Sequence, residues 1–213
     1  MKHYRNPLRL IAACAALSFS AVTFNAFAET QVFTSGAHFY KRVVTDSLSR
    51  TTSSETFLPL PNGATTVFIP PNQEVLVNAS FDAESRCSEP GGPGTGLVWC
   101  ELRIMIGGVE GHPQASLSPD TFAFDSTNDG ADGVGSWESH AMSRHRCIRN
   151  TTNAMMAVPV RVDWKITNNG GVGMPQFWID DSSLVVELAR GCSVQNVPTD
   201  PNASAASSDA TAQ

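Results

Sequence analysis

Met156-Ala157-Val158-Pro159-Val160-Arg161-Val162-Asp163-Trp164-Lys165-Ile166-Thr167 alternates two kinds of side chain without interruption. Met156, Val158, Val160, Val162, Trp164 and Ile166 fall on one side of an extended chain and Ala157, Pro159, Arg161, Asp163, Lys165 and Thr167 on the other, because successive strand residues point to opposite faces. The spacing predicts a strand with one buried face. Asn168-Asn169-Gly170-Gly171 follows, and these residues make turns because they tolerate positive φ. A second apolar run then points Phe177, Ile179, Leu184, Val186 and Leu188 inward around a break at Asp180-Asp181-Ser182-Ser183.

Working outward, the same period recurs. Gln73 to Ala83 directs Val75, Val77, Ala79 and Phe81 to one face, and Val98, Cys100, Leu102, Ile104 and Ile106 alternate with Leu97, Trp99, Glu101, Arg103 and Met105. Shorter extended pieces are expected at His38 to Val44, at Phe57 to Ile69 in two parts split by Asn62-Gly63, and at Phe122 to Phe124; Ser47 to Thr56 reads as a loop. Ser136 to Ile148 is extended but polar, with Trp137, Ser139, Ala141 and Ser143 opposite Glu138, His140, Met142 and Arg144. Helix signals are nearly absent, and short strands between Gly/Pro turns imply an all-β protein, an antiparallel β-sandwich of jelly-roll-like layout.

Met1 to Arg9 carries Lys2, Arg5 and Arg9 with no acid, Leu10 to Phe24 is apolar and small, and Ala26-Phe27-Ala28 is a small-x-small cleavage pattern. Residues 1–28 therefore read as a signal peptide and 29–192 as the sandwich domain. Residues 193–213, rich in Ser, Ala, Asp and Asn, read as a disordered tail. The apolar part of the leader is shorter than the roughly 20 residues of a membrane span. Ile11-Ala12-Ala13-Cys14 gives a less favoured lipoprotein alternative through Cys14. The expected location is secreted or periplasmic. Formal net charge is −6, from 14 Lys and Arg against 20 Asp and Glu, and becomes more negative once the leader is removed, which argues against nucleic acid as a partner.

Cys87, Cys100, Cys147 and Cys192 remain after the leader, an even number that reads as two disulfides in an exported chain. Three pairings are possible; Cys87 with Cys100 and Cys147 with Cys192 is favoured because the first pair flanks a Gly/Pro loop that can fold back. A zinc site is disfavoured because no C-x-x-C pair exists.

Phe81-Asp82-Ala83-Glu84-Ser85-Arg86-Cys87, Trp99-Cys100, Phe122-Ala123-Phe124-Asp125, Ser136-Trp137-Glu138-Ser139 and Trp178-Ile179-Asp180-Asp181-Ser182-Ser183-Leu184 resemble segments of small secreted bacterial β-sandwich proteins of unknown function. Their layout is similar to the tumour-necrosis-factor-like jelly roll. The resemblance spans roughly His38 to Arg190 and implies a protein that trimerises or binds partners without catalysis.

Candidate sites are few. Trp99 and Trp178 share parity with charged residues, and an indole on a polar face can stack on a sugar ring. Asp125, Asp129 and Asp132 cluster oxygen ligands around Gly130 and could take calcium, although the twelfth position of an EF-hand loop falls on Ser136 where Glu is required. Glu138 and His140 share a strand face, with His145 on the other; a metal there needs a further ligand, such as His112 or His38. No G-x-S-x-G nucleophile elbow is present. The expectation is an exported noncatalytic binding module for an extracellular carbohydrate or protein. A self-associating trimeric jelly roll is the alternative, and a hydrolase using Glu138 and His140 ranks third.

Overall fold

A computed structural model of the protein describes residues 29–89, 98–114, 122–127, 137–170 and 173–198. Among these the chain is all-β, with strands β1 (Glu29–Ser35), β2 (His38–Asp46), β3 (Arg50–Thr52), β4 (Leu58–Ile69), β5 (Glu74–Ser88), β6 (Val98–Ile106), β7 (Val109–Glu110), β8 (Ala123–Ser126), β9 (Glu138–Arg149), β10 (Met156–Asn168), β11 (Gln176–Arg190) and β12 (Cys192–Pro198). One sheet runs β2-β11-β5-β9 with β3 also on β11; the facing sheet runs β4-β10-β6-β7 with β8 also on β6. All pairings are antiparallel. The long strands alternate between sheets along the chain, so β4, β6 and β10 line one wall of the core and β5, β9 and β11 the other.

The inward rows are those the alternation predicts. Val158, Val160, Val162, Trp164 and Ile166 of β10 meet Phe177, Ile179, Leu184, Val186 and Leu188 of β11 and Val75, Val77, Ala79 and Phe81 of β5 in one buried cluster. Trp164 packs on Phe177 across the sheets with ring centroids 5.6 Å apart. Each fully buried side chain of this size contributes about 1.5–3 kcal/mol. Cys87–Cys100 and Cys147–Cys192 form the two disulfides, each with 5.7 Å between Cα atoms. The first joins β5 to β6, one sheet to the other; the second joins β9 to the two-stranded ribbon of β1 and β12.

Three local features depart from the sequence expectation. The Asn62-Gly63 signal makes no hairpin: Arg161 pairs with Ala64 and Asp163 with Pro59, so the intervening residues bulge out of the single strand β4, with Asn62 at φ 60°. Asp180 to Ser183 likewise does not end a strand but forms a bulge within β11, Asp181 standing at φ 42°. The ordered chain also runs past 192, because Ser193 to Pro198 pair with β1 in the terminal ribbon.

The polar row of β10 and β6 is itself partly covered. Asp163 and Glu101 are each only 1% exposed. Arg103 and Arg161 bind Asp163 at 2.9 Å and 2.7 Å, and Lys165 Nζ lies 3.1 Å from Glu101 Oε2, a charge contact without hydrogen-bond geometry. The Phe57 ring covers the group, with the Arg103 guanidinium 4.1 Å from its centroid.

Candidate functional site

The inward row of β5 is apolar from Val75 to Ala83 and turns polar at Ser85, two residues before Cys87. Beside it, β9 presents Glu138 and His140 on its inward parity, with Ser85 paired to Glu138 and Ala83 to His140. The facing sheet supplies Asp125 from β8. A register shift there sets Asp125 opposite Cys100 and Ala123 opposite Glu101, so Phe124 is the extra residue of a bulge that re-aims Asp125 toward the core side. Phe124 itself is buried against Phe81 and the His140 ring, at centroid distances of 6.0 Å and 5.4 Å.

These residues converge. Ser85 Oγ lies 2.8 Å from Asp125 Oδ2 and 2.9 Å from His140 Nδ1, and His140 Nε2 lies 3.4 Å from Glu138 Oε2. One ligand atom from each of Asp125, Glu138 and His140 falls within 4.8 Å of the others. The Ser126 backbone N–H donates to Asp125 Oδ1 at 2.6 Å. Burial pushes the Asp125 carboxyl above its ordinary range, opposed by the Ser85 hydrogen bond and the nearby His140. The cluster lies at the β8–β9 edge of the sandwich, where the Glu138 side chain is exposed and that of His140 partly so. Further along β9 that edge is closed by paired backbone hydrogen bonds between His112 and His145, both 2.8 Å, and by Arg144 beside Glu110 at 4.0 Å.

The hydrogen-bond directions follow from donor counting. With Asp125 ionised, its carboxylate only accepts, so the one Ser85 proton goes to Asp125 and Ser85 Oγ accepts from His140 Nδ1–H. His140 therefore cannot draw a proton from Ser85. With Ser85 fully buried as well, the Ser-His-Glu sequence of contacts is a positioning chain and not a nucleophile with its base.

The sequence-predicted residues are placed as follows. Asp125 is in the cluster, while Asp129 and Asp132 lie outside the described residues. His112 and His38, named as further ligands for Glu138 and His140, lie elsewhere: His112 pairs with His145, and His38 sits 3.7 Å from Glu187 at the β2 edge. Trp99 and Trp178 are both half-buried and face outward, Trp99 between Thr167 and Ser126 on one sheet and Trp178 between Thr51 and Arg86 on the other. The two indoles are thus on opposite outer faces and cannot share one ligand. Ser85 was not singled out by sequence reasoning, although it breaks an apolar inward row beside a cysteine. Trp137, which immediately precedes Glu138, is 44% exposed and was likewise passed over.

Fold and site define a disulfide-braced, two-sheet antiparallel all-β protein with a polar cluster at one sandwich edge. No known protein-family model matches the chain, and no curated protein matches it.

Proposed function

We infer that the chain is an exported, noncatalytic binding module that takes an extracellular carbohydrate at the edge between β8 and β9. The observation that carries this reading is the convergence of Asp125, Glu138 and His140 at that edge, with the exposed Trp137 next to Glu138 in the chain. Sugar rings require several polar atoms for their hydroxyls, which the convergent carboxylates and imidazole offer, and an apolar surface for the C–H face, which an exposed indole on the same chain segment can offer. Export is supported by the leader pattern of Met1 to Ala28 and by two disulfides, which persist in oxidising compartments. The alternation of strands between the sheets supports the jelly-roll-like layout. The test is retention on a panel of immobilised polysaccharides. Trp137→Ala and Glu138→Gln abolish retention, while Trp99→Ala and Trp178→Ala keep it; loss only in the latter pair moves the ligand to the sheet faces and ends this reading.

A second reading, self-association, is favoured by the opposite edge. There Tyr40, Val43 and Phe68 are exposed on β2 and β4, where the Arg42 guanidinium also reaches the Thr66 carbonyl at 3.4 Å. Light scattering over a hundredfold dilution separates the two: a stable trimer supports assembly, and a monomer throughout removes it.

A further inference from the structure

We propose that Asp125, Glu138 and His140 form a binding site for a divalent transition-metal cation with the ligand preference of zinc. Because the Ser85 proton is committed to Asp125, His140 carries hydrogen on Nδ1, and the lone pair of the neutral ring is on Nε2. That lone pair faces Glu138 Oε2 at 3.4 Å. A divalent ion between them is met by both, with Asp125 close by: two carboxylates and an imidazole, a donor set whose charge balances that of the ion.

The arrangement around the ring is the one metal-binding histidines use. One ring nitrogen donates to an oxygen that fixes tautomer and orientation, and the other ligates. Here Ser85 is that oxygen, and it is held in turn by Asp125. The ring plane is further set by Phe124, 5.4 Å away. Transition-metal bonds to imidazole and carboxylate are about 2.0–2.2 Å. The three ligand atoms lie within 4.8 Å of one another, wider than a bound ion would hold them, so binding draws them together. An imidazole with two carboxylates suits zinc or its first-row neighbours, whereas calcium takes oxygen ligands alone. The Cys87–Cys100 bridge lies within two residues of Ser85 on β5 and directly opposite Asp125 at Cys100, so the ligands from the two sheets are held at a fixed separation.

The proposal rests on reading the β8–β9 edge as the binding site, and the two fail separately. Chelator-stripped full-length protein is titrated with Zn²⁺ alone by calorimetry, and cobalt is followed by its visible absorption. One equivalent of zinc per chain is expected. Affinity falls at least tenfold in Glu138→Gln, Asp125→Asn and His140→Ala and stays unchanged in His112→Asn. Ser85→Ala weakens binding about 10–100-fold, the effect of losing a supporting hydrogen bond to a ligand. Nitrogen-15 spectra show zinc on Nε2 of His140 and hydrogen on Nδ1. Glu138→Gln is an exposed, isosteric change that leaves folding intact, so it decides the matter if His140→Ala does not fold. Failure to take up zinc, with His140 appearing in the spectra as an imidazolium paired with Glu138 only, overturns the metal site. Equal binding by Glu138→Gln and wild type does so too. Zinc uptake without polysaccharide retention sustains the metal site and ends the carbohydrate reading. Chelator-insensitive retention without zinc uptake does the reverse.

Discussion

Ser85 carries a single hydroxyl proton and stands between two groups that bind it differently, a carboxylate that accepts and an imidazole that donates. Ser85→Ala leaves Asp125 Oδ2 and His140 Nδ1 without their partner in a half-buried setting, a loss of about 1–3 kcal/mol. It is read as a lower urea midpoint with an unchanged slope. A second single-residue prediction concerns His145. Burial, aided by neighbouring Arg144, holds its ring below the ordinary value of 6.5, while its Nδ1 lies 2.8 Å from Asn78 Oδ1. A depressed folded pKa means that the unfolded chain binds the proton more tightly. His145 therefore contributes stability fully present above about pH 6.5 that is lost as the pH falls through the folded value. Melting temperature is expected to drop between about pH 7.5 and 5.5 in the wild type and to drop less in His145→Gln, the difference isolating this ring from the other histidines.

Among the strands, period-two patterning made the inward rows of β5, β6, β10 and β11 legible, since an alternating row buried on one face admits only one register. The bulges were not legible. Asn62-Gly63 and Asp180-Asp181 carry ordinary turn chemistry, and only pairing with a neighbouring strand decides whether a kink ends a strand or is absorbed by it. The same blindness hid the site: Asp125 reads as the start of a loop until the bulge at Phe124 turns it inward. Glu138 and His140 were grouped by parity alone, yet the third member came from the other sheet, at a separation in sequence that no local pattern reports. The burial of Asp163 and Glu101 was not legible, because parity says which face a side chain is on and not what covers that face. The β11 bulge yields its own prediction. With Asp181 at φ 42°, Asp181→Gly is near neutral, whereas Asp181→Val costs about 1–2 kcal/mol through the clash of its branched Cβ in the left-handed region. Thermal melts of the two variants check it, and equal melting temperatures would show that the bulge has relaxed.

For the molecule as a whole, the two disulfides act on different loops. Cys87 and Cys100 are 13 residues apart and Cys147 and Cys192 are 45 apart. In the chain-entropy picture their removal costs about 3 and about 4 kcal/mol. The Cys147→Ser, Cys192→Ser double variant is expected to be the less stable of the two double variants in denaturant. The Cys87→Ser, Cys100→Ser variant, although the more stable, is expected to show the larger fall in zinc affinity, because its bridge holds the two sheets together beside Asp125 and Ser85. The terminal ribbon has a further effect. Glu29 pairs with Pro198, and the ribbon leads into the sandwich where Arg190 meets Val75; the Ser85 cluster is at the other end of β5. Val75 and Ser85 are ten residue steps apart along β5, about 33 Å. Glu29 and Pro198 thus lie at the pole opposite the Ser85 cluster, so a tag or tether fused beyond either residue stands away from the candidate site.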